Sequence, residues 1–170
     1  MQLTTVIDLY NLLANNGIKI WIDGGWCVDA LIGKQLRPHK DLDIALEWKN
    51  VPKLCELLKK DGFEQIKQDS KWNFVLADSN GNQLDVHAFV YDDMGNVIDG
   101  IMYPKESLTG TGTLAGQTVM CISPKYMVLF LAPWIQKWPE KYLEAVKLLC
   151  KKFAIDLPQE YLLFTKSKKK

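Results

Sequence analysis

Two aspartates one residue apart inside an apolar run, Asp41-Leu42-Asp43-Ile44-Ala45-Leu46, leave a folding chain few choices. In an extended strand, residues i and i+2 face the same way, about 6–7 Å apart along the chain. Asp41 and Asp43 then project from one face, while Leu42 and Ile44 enter the opposite, apolar side. The run Gln83 to Val90 repeats that parity, with Leu84, Val86, Ala88 and Val90 on one face and Asp85 on the other. Three carboxylates on strands that can be neighbours repel one another at neutral pH unless a cation joins them. Magnesium suits such a set, because it takes a few carboxylates together with substrate phosphates and water.

Upstream of the paired acids stands Gly24-Gly25. Without Cβ atoms this turn lets backbone amides approach a phosphate chain, and a helix after it points its N-terminus at the negative charge. Strand, diglycine turn, short helix and acid-bearing strand, in that order, suit metal-assisted phosphoryl transfer. Each piece alone has a plainer meaning. A Gly-Gly pair is usually a tight turn, and a pair of alternating acids is often a solvated edge. The order and spacing carry the reading.

The rest of the chain supplies a framework for that site. Val6, Leu9, Tyr10 and Leu13 recur at helical spacing, and Ile18 to Ile22 alternates like a half-buried strand. A short helix is expected from Cys27 to Gly33, a second strand at 41–46 and a helix through Val51, Leu54, Cys55 and Leu58. Trp72 to Ala77 and Gln83 to Val90 read as strands, with a short one at 97–102. The glycine- and threonine-rich stretch 107–116 reads as a loop or boundary, and helices follow from Ser123 and from Pro139. The fold class is therefore α+β, a mixed β-sheet flanked by helices over residues 1–120. A helical cap follows over 121–165, and a basic tail over 166–170.

Composition excludes several function classes. The 170 residues carry 21 Lys+Arg and 20 Asp+Glu, a net charge of +1, so no electrostatic footprint for nucleic acid or a membrane surface exists. No apolar run is long enough to span a bilayer. Cys27, Cys55, Cys121 and Cys150 form no CxxC pair, and only His39 and His87 could join them, which disfavours a zinc site. Reduced thiols among apolar neighbours fit a cytoplasmic protein. Composition does not choose between a monomer and a homodimer.

At its acids and glycines the chain resembles the antibiotic nucleotidyltransferases of the DNA polymerase β-like superfamily. The resemblance rests on Trp21-Ile22-Asp23-Gly24-Gly25-Trp26-Cys27-Val28-Asp29, then Arg37-Pro38-His39-Lys40-Asp41-Leu42-Asp43, then Leu84-Asp85-Val86-His87. The first two segments are similar to those of the small lincosamide nucleotidyltransferases and the aminoglycoside 2″-nucleotidyltransferases. The stretch 84–100 leans towards the lincosamide enzymes. Gly116 to Cys121 and Trp138-Pro139-Glu140-Lys141 lean towards the aminoglycoside group.

The resemblance implies a nucleotidyltransferase fold and catalytic domain over 1–120. It implies transfer of a nucleoside monophosphate, AMP from ATP in the first instance, to a hydroxyl of an aminoglycoside or lincosamide, with release of pyrophosphate. Asp41, Asp43 and Asp85 match the magnesium ligands, and Asp85 also matches a catalytic base. Gly24 and Gly25 match the phosphate-holding turn, and Arg37 and His39 match positions near the nucleotide. Lys141, near the start of the late helix, is a further candidate for the triphosphate, although a lone helical lysine is more often a solvated charge. A polycationic acceptor would call for spare acids, for which Asp92, Asp93, Asp99, Glu106, Glu140 and Glu144 are available. Two alternatives remain open: a nucleotidyltransferase acting on a protein, of toxin–antitoxin type, and an inactive nucleotide-binding module.

Overall fold

The computed structural model describes residues 1–167. One mixed sheet organises it, built from β1 (Trp21–Ile22), β2 (Asp41–Glu47), β3 (Glu64–Ser70), β4 (Asn73–Ala77), β5 (Gln83–Tyr91), β6 (Val97–Gly100), β7 (Gly110–Leu114) and β8 (Gln117–Cys121). The strand order is β3-β4-β5-β2-β1-β8-β7, with β6 paired to β5 off that path. The pairs β2–β5 and β1–β8 are parallel, and the others are antiparallel. Helices α1 (Leu3–Asn15), α2 (Gly24–Ile32) and α3 (Val51–Lys60) precede the later strands, and α4 (Pro124–Leu131), α5 (Pro139–Phe153) and α6 (Gln159–Ser167) follow β8. No strand follows Cys121 among the described residues, and α4 and α5 pack on α2. Of the basic tail, Lys168, Lys169 and Lys170 lie outside the described residues, and Lys166 belongs to α6.

Alternation along β2 and β5 decides which face is core. Leu42, Ile44, Leu46, Leu84, Val86 and Ala88 are all at 0% exposure, in one apolar cluster with Val6 and Leu13 of α1 and Leu54 and Leu58 of α3. Fully burying a side chain of this kind contributes about 1.5–3 kcal/mol. The parallel register sets Leu42 beside Leu84, Asp43 beside Asp85 and Ala45 beside His87. Parallel neighbours point to the same face, so the acids of both strands emerge together on the side away from this apolar row.

The structure differs from the sequence expectations in several places, the added strand β8 and helix α6 among them. Helix α2 begins at Gly24 itself, without an intervening turn, because Asp23 acts as its N-cap and accepts from the Gly24 N–H at 2.7 Å. The stretch expected as a loop contains β7, whose Gly112 lies under α2: a Cβ there would stand 2.5 Å from the carbonyl carbon of Ala30. Strand β3 was not foreseen. All seven of its residues are exposed, and it forms a polar sheet edge with Lys67 and Asp69 paired at 2.5 Å.

Candidate active site

Strand register brings Asp43 and Asp85 side by side, and one atom from each of Asp43, Asp85 and His87 lies within 4.8 Å of the others. Asp41 sits two residues earlier on β2, on the face shared by Asp43, and is opposite Gln83. Burial, with the charges of Asp41, Asp23 and Asp85 beside it, pushes the Asp43 carboxyl up to about 7, against the partial relief of His87. An acid raised in this way marks a cluster with more negative charge than its neighbours balance. The donor set fits a hard divalent cation: aspartate oxygens crowded on one face, still ionisable near neutrality.

The neighbouring groups hold Asp85 differently. Asn73 Nδ2 donates to Asp85 Oδ1 at 2.7 Å, and His87 Nε2 lies 3.4 Å from the same oxygen. Burial alone would raise the Asp85 carboxyl, but His87 and Asn73 outweigh it and hold it below its ordinary value. On the other side of the imidazole, His87 Nδ1 lies 3.5 Å from Asp23 Oδ2 and 2.9 Å from the Tyr103 hydroxyl, which donates to Asp23 Oδ2 at 2.5 Å. Burial works against the imidazolium, yet Asp23 and Asp85 override it and push His87 up to about 10. The ring is a cation at neutral pH, clamped between two aspartates.

Both glycines are filled by side chains. A Cβ on Gly24 would stand 2.0 Å from Asp43 Oδ2, and one on Gly25 would stand 2.3 Å from His39 Nδ1. The missing Cβ atoms thus seat Asp43 and His39 against α2. His39 in turn packs its ring on Trp26, centroids 4.6 Å apart, and places Nε2 2.6 Å from Asp29 Oδ2. Asp29 Oδ1 accepts from the Leu36 N–H at 3.1 Å, which fixes the connection between α2 and β2. Asp29 and His39 are 1% and 6% exposed. Asp29→Ala should therefore leave the buried His39 ring and the half-buried Leu36 N–H without their partner and lower stability by about 3 kcal/mol, read as a reduced denaturation midpoint.

Two clefts border the start of α2, one lined by Gly24 and Gly25 and the other by Asp23. The first, about 360 Å³, is lined by Gly24, Gly25, Arg37, His39 and Lys141, together with Lys34, Glu140 and Glu144. The sequence candidates from the glycine turn, the following loop and the first turn of α5 thus share one cavity. The second, about 300 Å³, is lined by Asp23, Asn73, His87 and Tyr103 with Ile101, Met102, Phe130 and Trp134. Asp23, Asn73 and Tyr103 had not been singled out from the sequence. Asp23 had a signal, an acid immediately before Gly24, but Asn73 and Tyr103 reach the site only through cross-strand and long-range bonds.

Known proteins resemble this chain in sequence and in fold. The family model described as Aminoglycoside-2''-adenylyltransferase matches residues 5–135. A lincosamide resistance protein of Staphylococcus haemolyticus is 30% identical over 96 residues, which covers 56% of this chain and 58% of that protein, less than two thirds of its length. A 2''-aminoglycoside nucleotidyltransferase of Escherichia coli is 25% identical over 158 residues, 88% of each chain. Among solved structures, ANT(2")-Ia in complex with adenylyl-2"-tobramycin superimposes with a TM-score of 0.76 at 20% identity, covering 98% of both chains. Lincomycin-bound lincosamide antibiotic adenylyltransferase LnuA gives 0.73 at 22% identity, covering 89% of this chain and 96% of that one. At these identities the two structures speak for the fold.

Proposed function

The chain belongs to the aminoglycoside-2''-adenylyltransferase family and is a nucleotidyltransferase, and from that premise we propose that it moves AMP from ATP to a hydroxyl of a small antibiotic, releasing pyrophosphate. The observation that carries this reading is the Asp43–Asp85–His87 cluster, whose Asp43 lies against Gly24 of the first cleft and whose His87 lines the second. Asp41, Asp43 and Asp85 would hold magnesium, which when bound neutralises triphosphate charge and lowers the acceptor hydroxyl's pKa. The cleft with Arg37, His39 and Lys141 would receive the triphosphate, whose charge would meet the α2 N-terminus, Lys34, Arg37 and Lys141, with Glu140 and Glu144 on the same lining. The second cleft would receive the acceptor. Its hydroxyl oxygen bonds to the α-phosphorus, the bond to pyrophosphate breaks, and the hydroxyl proton passes to Asp85. His87 and Asn73 fix the orientation of Asp85 for that step. Residues 1–120 would act as the catalytic unit, with 121–165 as a cap that contributes Lys141 to one cleft and Phe130 and Trp134 to the other.

Four free cysteines support a reducing cytoplasm as the setting for this chemistry under the same reading. Among the described residues no helix is long and apolar enough to cross a membrane. Incubation with magnesium, ATP and either lincomycin or tobramycin should release pyrophosphate and add one AMP mass to the acceptor. Asp85→Asn should reduce that turnover by about a hundredfold or more. Full turnover by this variant would remove Asp85 from the chemistry, and pyrophosphate release independent of any acceptor would contradict transfer.

A further inference from the structure

The two clefts differ in what they can bind. Of the six acids that a polycationic acceptor could have used, none lines the second cleft. Glu140 and Glu144 line the first one. Glu106 borders a separate depression beside Lys105 and Met94. Asp92 closes its own turn, accepting from the Met94 N–H at 3.0 Å, the Asn96 N–H at 2.8 Å and Asn96 Nδ2 at 2.9 Å.

Asp23 is the one carboxylate lining the second cleft, and its oxygens are already occupied. It accepts from the Gly24 N–H and the Tyr103 hydroxyl and lies against the His87 ring. The Asn73 amide is likewise engaged with Asp85. What the cleft offers freely is apolar: Met102 at 65% exposure, Trp134 at 46%, and Phe130, whose ring packs on Tyr103 at 5.7 Å. Beside Trp134 stands Lys137, whose Nζ lies 5.8 Å from that ring centroid and 4.2 Å from the Trp138 centroid.

A polyamine acceptor would lose hydration here and find no free carboxylate among the lining residues. We propose that the acceptor is an amphipathic glycoside that lays an apolar face on Trp134, Met102 and Phe130 and carries at most one amine. This inference rests on the transfer reading above and narrows it. Aromatic and thioether side chains exposed at a cleft mouth lose unfavourable water contact when such a face covers them.

The test uses the full chain with magnesium and a non-hydrolysable ATP analogue, with lincomycin (one amine, extended apolar surface) and tobramycin (several amines) as calorimetric probes. Lincomycin should bind at least about tenfold more tightly than tobramycin. Trp134→Ala should weaken lincomycin binding by about tenfold, and in turnover assays should raise its KM with little change in kcat. Because Met102 is exposed, Met102→Glu does not endanger folding; it should weaken lincomycin binding and strengthen that of tobramycin. Tighter tobramycin binding by the parent protein, no binding of either probe, or lincomycin affinity indifferent to both substitutions would overturn the inference. Lincomycin binding that depends on Trp134 without any transfer would instead overturn the catalytic reading and leave this one standing.

Discussion

Asp43→Asn is expected to abolish nucleotidyl transfer, by about a thousandfold or more, while making the metal-free protein more stable. Both effects come from the same crowding. Asp43 is partly buried beside Asp41, Asp23 and Asp85, and its carboxyl is pushed up to about 7 from an ordinary 3.8. The folded state therefore binds its proton more tightly than the unfolded chain does. The contribution of this group to stability is greatest below pH 4, falls as pH rises through the interval to about 7, and stays low above it. The charged form costs the metal-free fold roughly 2–4 kcal/mol after allowance for partial exposure. His87 does not obscure this window. Its pKa is pushed up to about 10, so the stability that it adds is complete below its ordinary 6.5 and declines as pH rises from there through 10, in the same direction and in parent and variant alike. An amide at position 43 keeps the shape of the side chain and removes the charge, along with the ligand that a cation needs. Thermal unfolding at pH 8 without metal should show the variant above the parent protein. Added magnesium should raise the melting temperature of the parent and leave the variant where it was. A variant that retained both turnover and the magnesium response would rule out position 43 as part of a cation site.

The sequence disclosed this part of the site because strand parity is a local property. Asp41, Asp43 and Asp85 could be assigned to the face opposite Leu42, Ile44, Leu84 and Val86 from alternation alone, and the 43–85 register follows from burying those apolar rows together. The partners that tune the acids were not legible. Tyr103 meets Asp23 across 80 positions of chain and Asn73 meets Asp85 across 12, and no periodicity encodes either contact. Strand β7 was hidden for a different reason. Gly110-Thr111-Gly112-Thr113 has the composition of a loop, but Gly112 is small because the α2 backbone lies directly over it. Strand β3 has one apolar residue, Ile66, so its place at the sheet edge is fixed by pairing with β4 and not by burial. The acceptor-side cleft was unreadable as well. Its lining comes from β4, β5, the segment 101–103, α4 and the turn after it, and only the fold shows that the spare acids lie elsewhere.

Gly24→Ala should cost nearly as much activity as losing a carboxylate, about a hundredfold or more, although alanine is neither charged nor large. Two penalties coincide at this position. Gly24 has φ +57, where an L-residue is strained by about 1–2 kcal/mol, and the added Cβ would stand 2.0 Å from Asp43 Oδ2 and 2.6 Å from its carboxyl carbon. The Asp43 side chain must swing away, and its reach towards Asp85 is lost. Gly33 separates the two penalties. It also has positive φ, +84, but nothing lies within 4 Å of its would-be Cβ, so Gly33→Ala should lower stability by about 1 kcal/mol and leave turnover intact. A further measurement decides what Gly24 is small for. If its role is to seat Asp43, Gly24→Ala should weaken ATP binding only when magnesium is present, since the loss acts through the carboxylate. If the glycine instead lets its own amide approach the phosphates, binding should weaken equally in chelator. The first outcome is expected, because the space where a Cβ would go at Gly24 is already filled by Asp43.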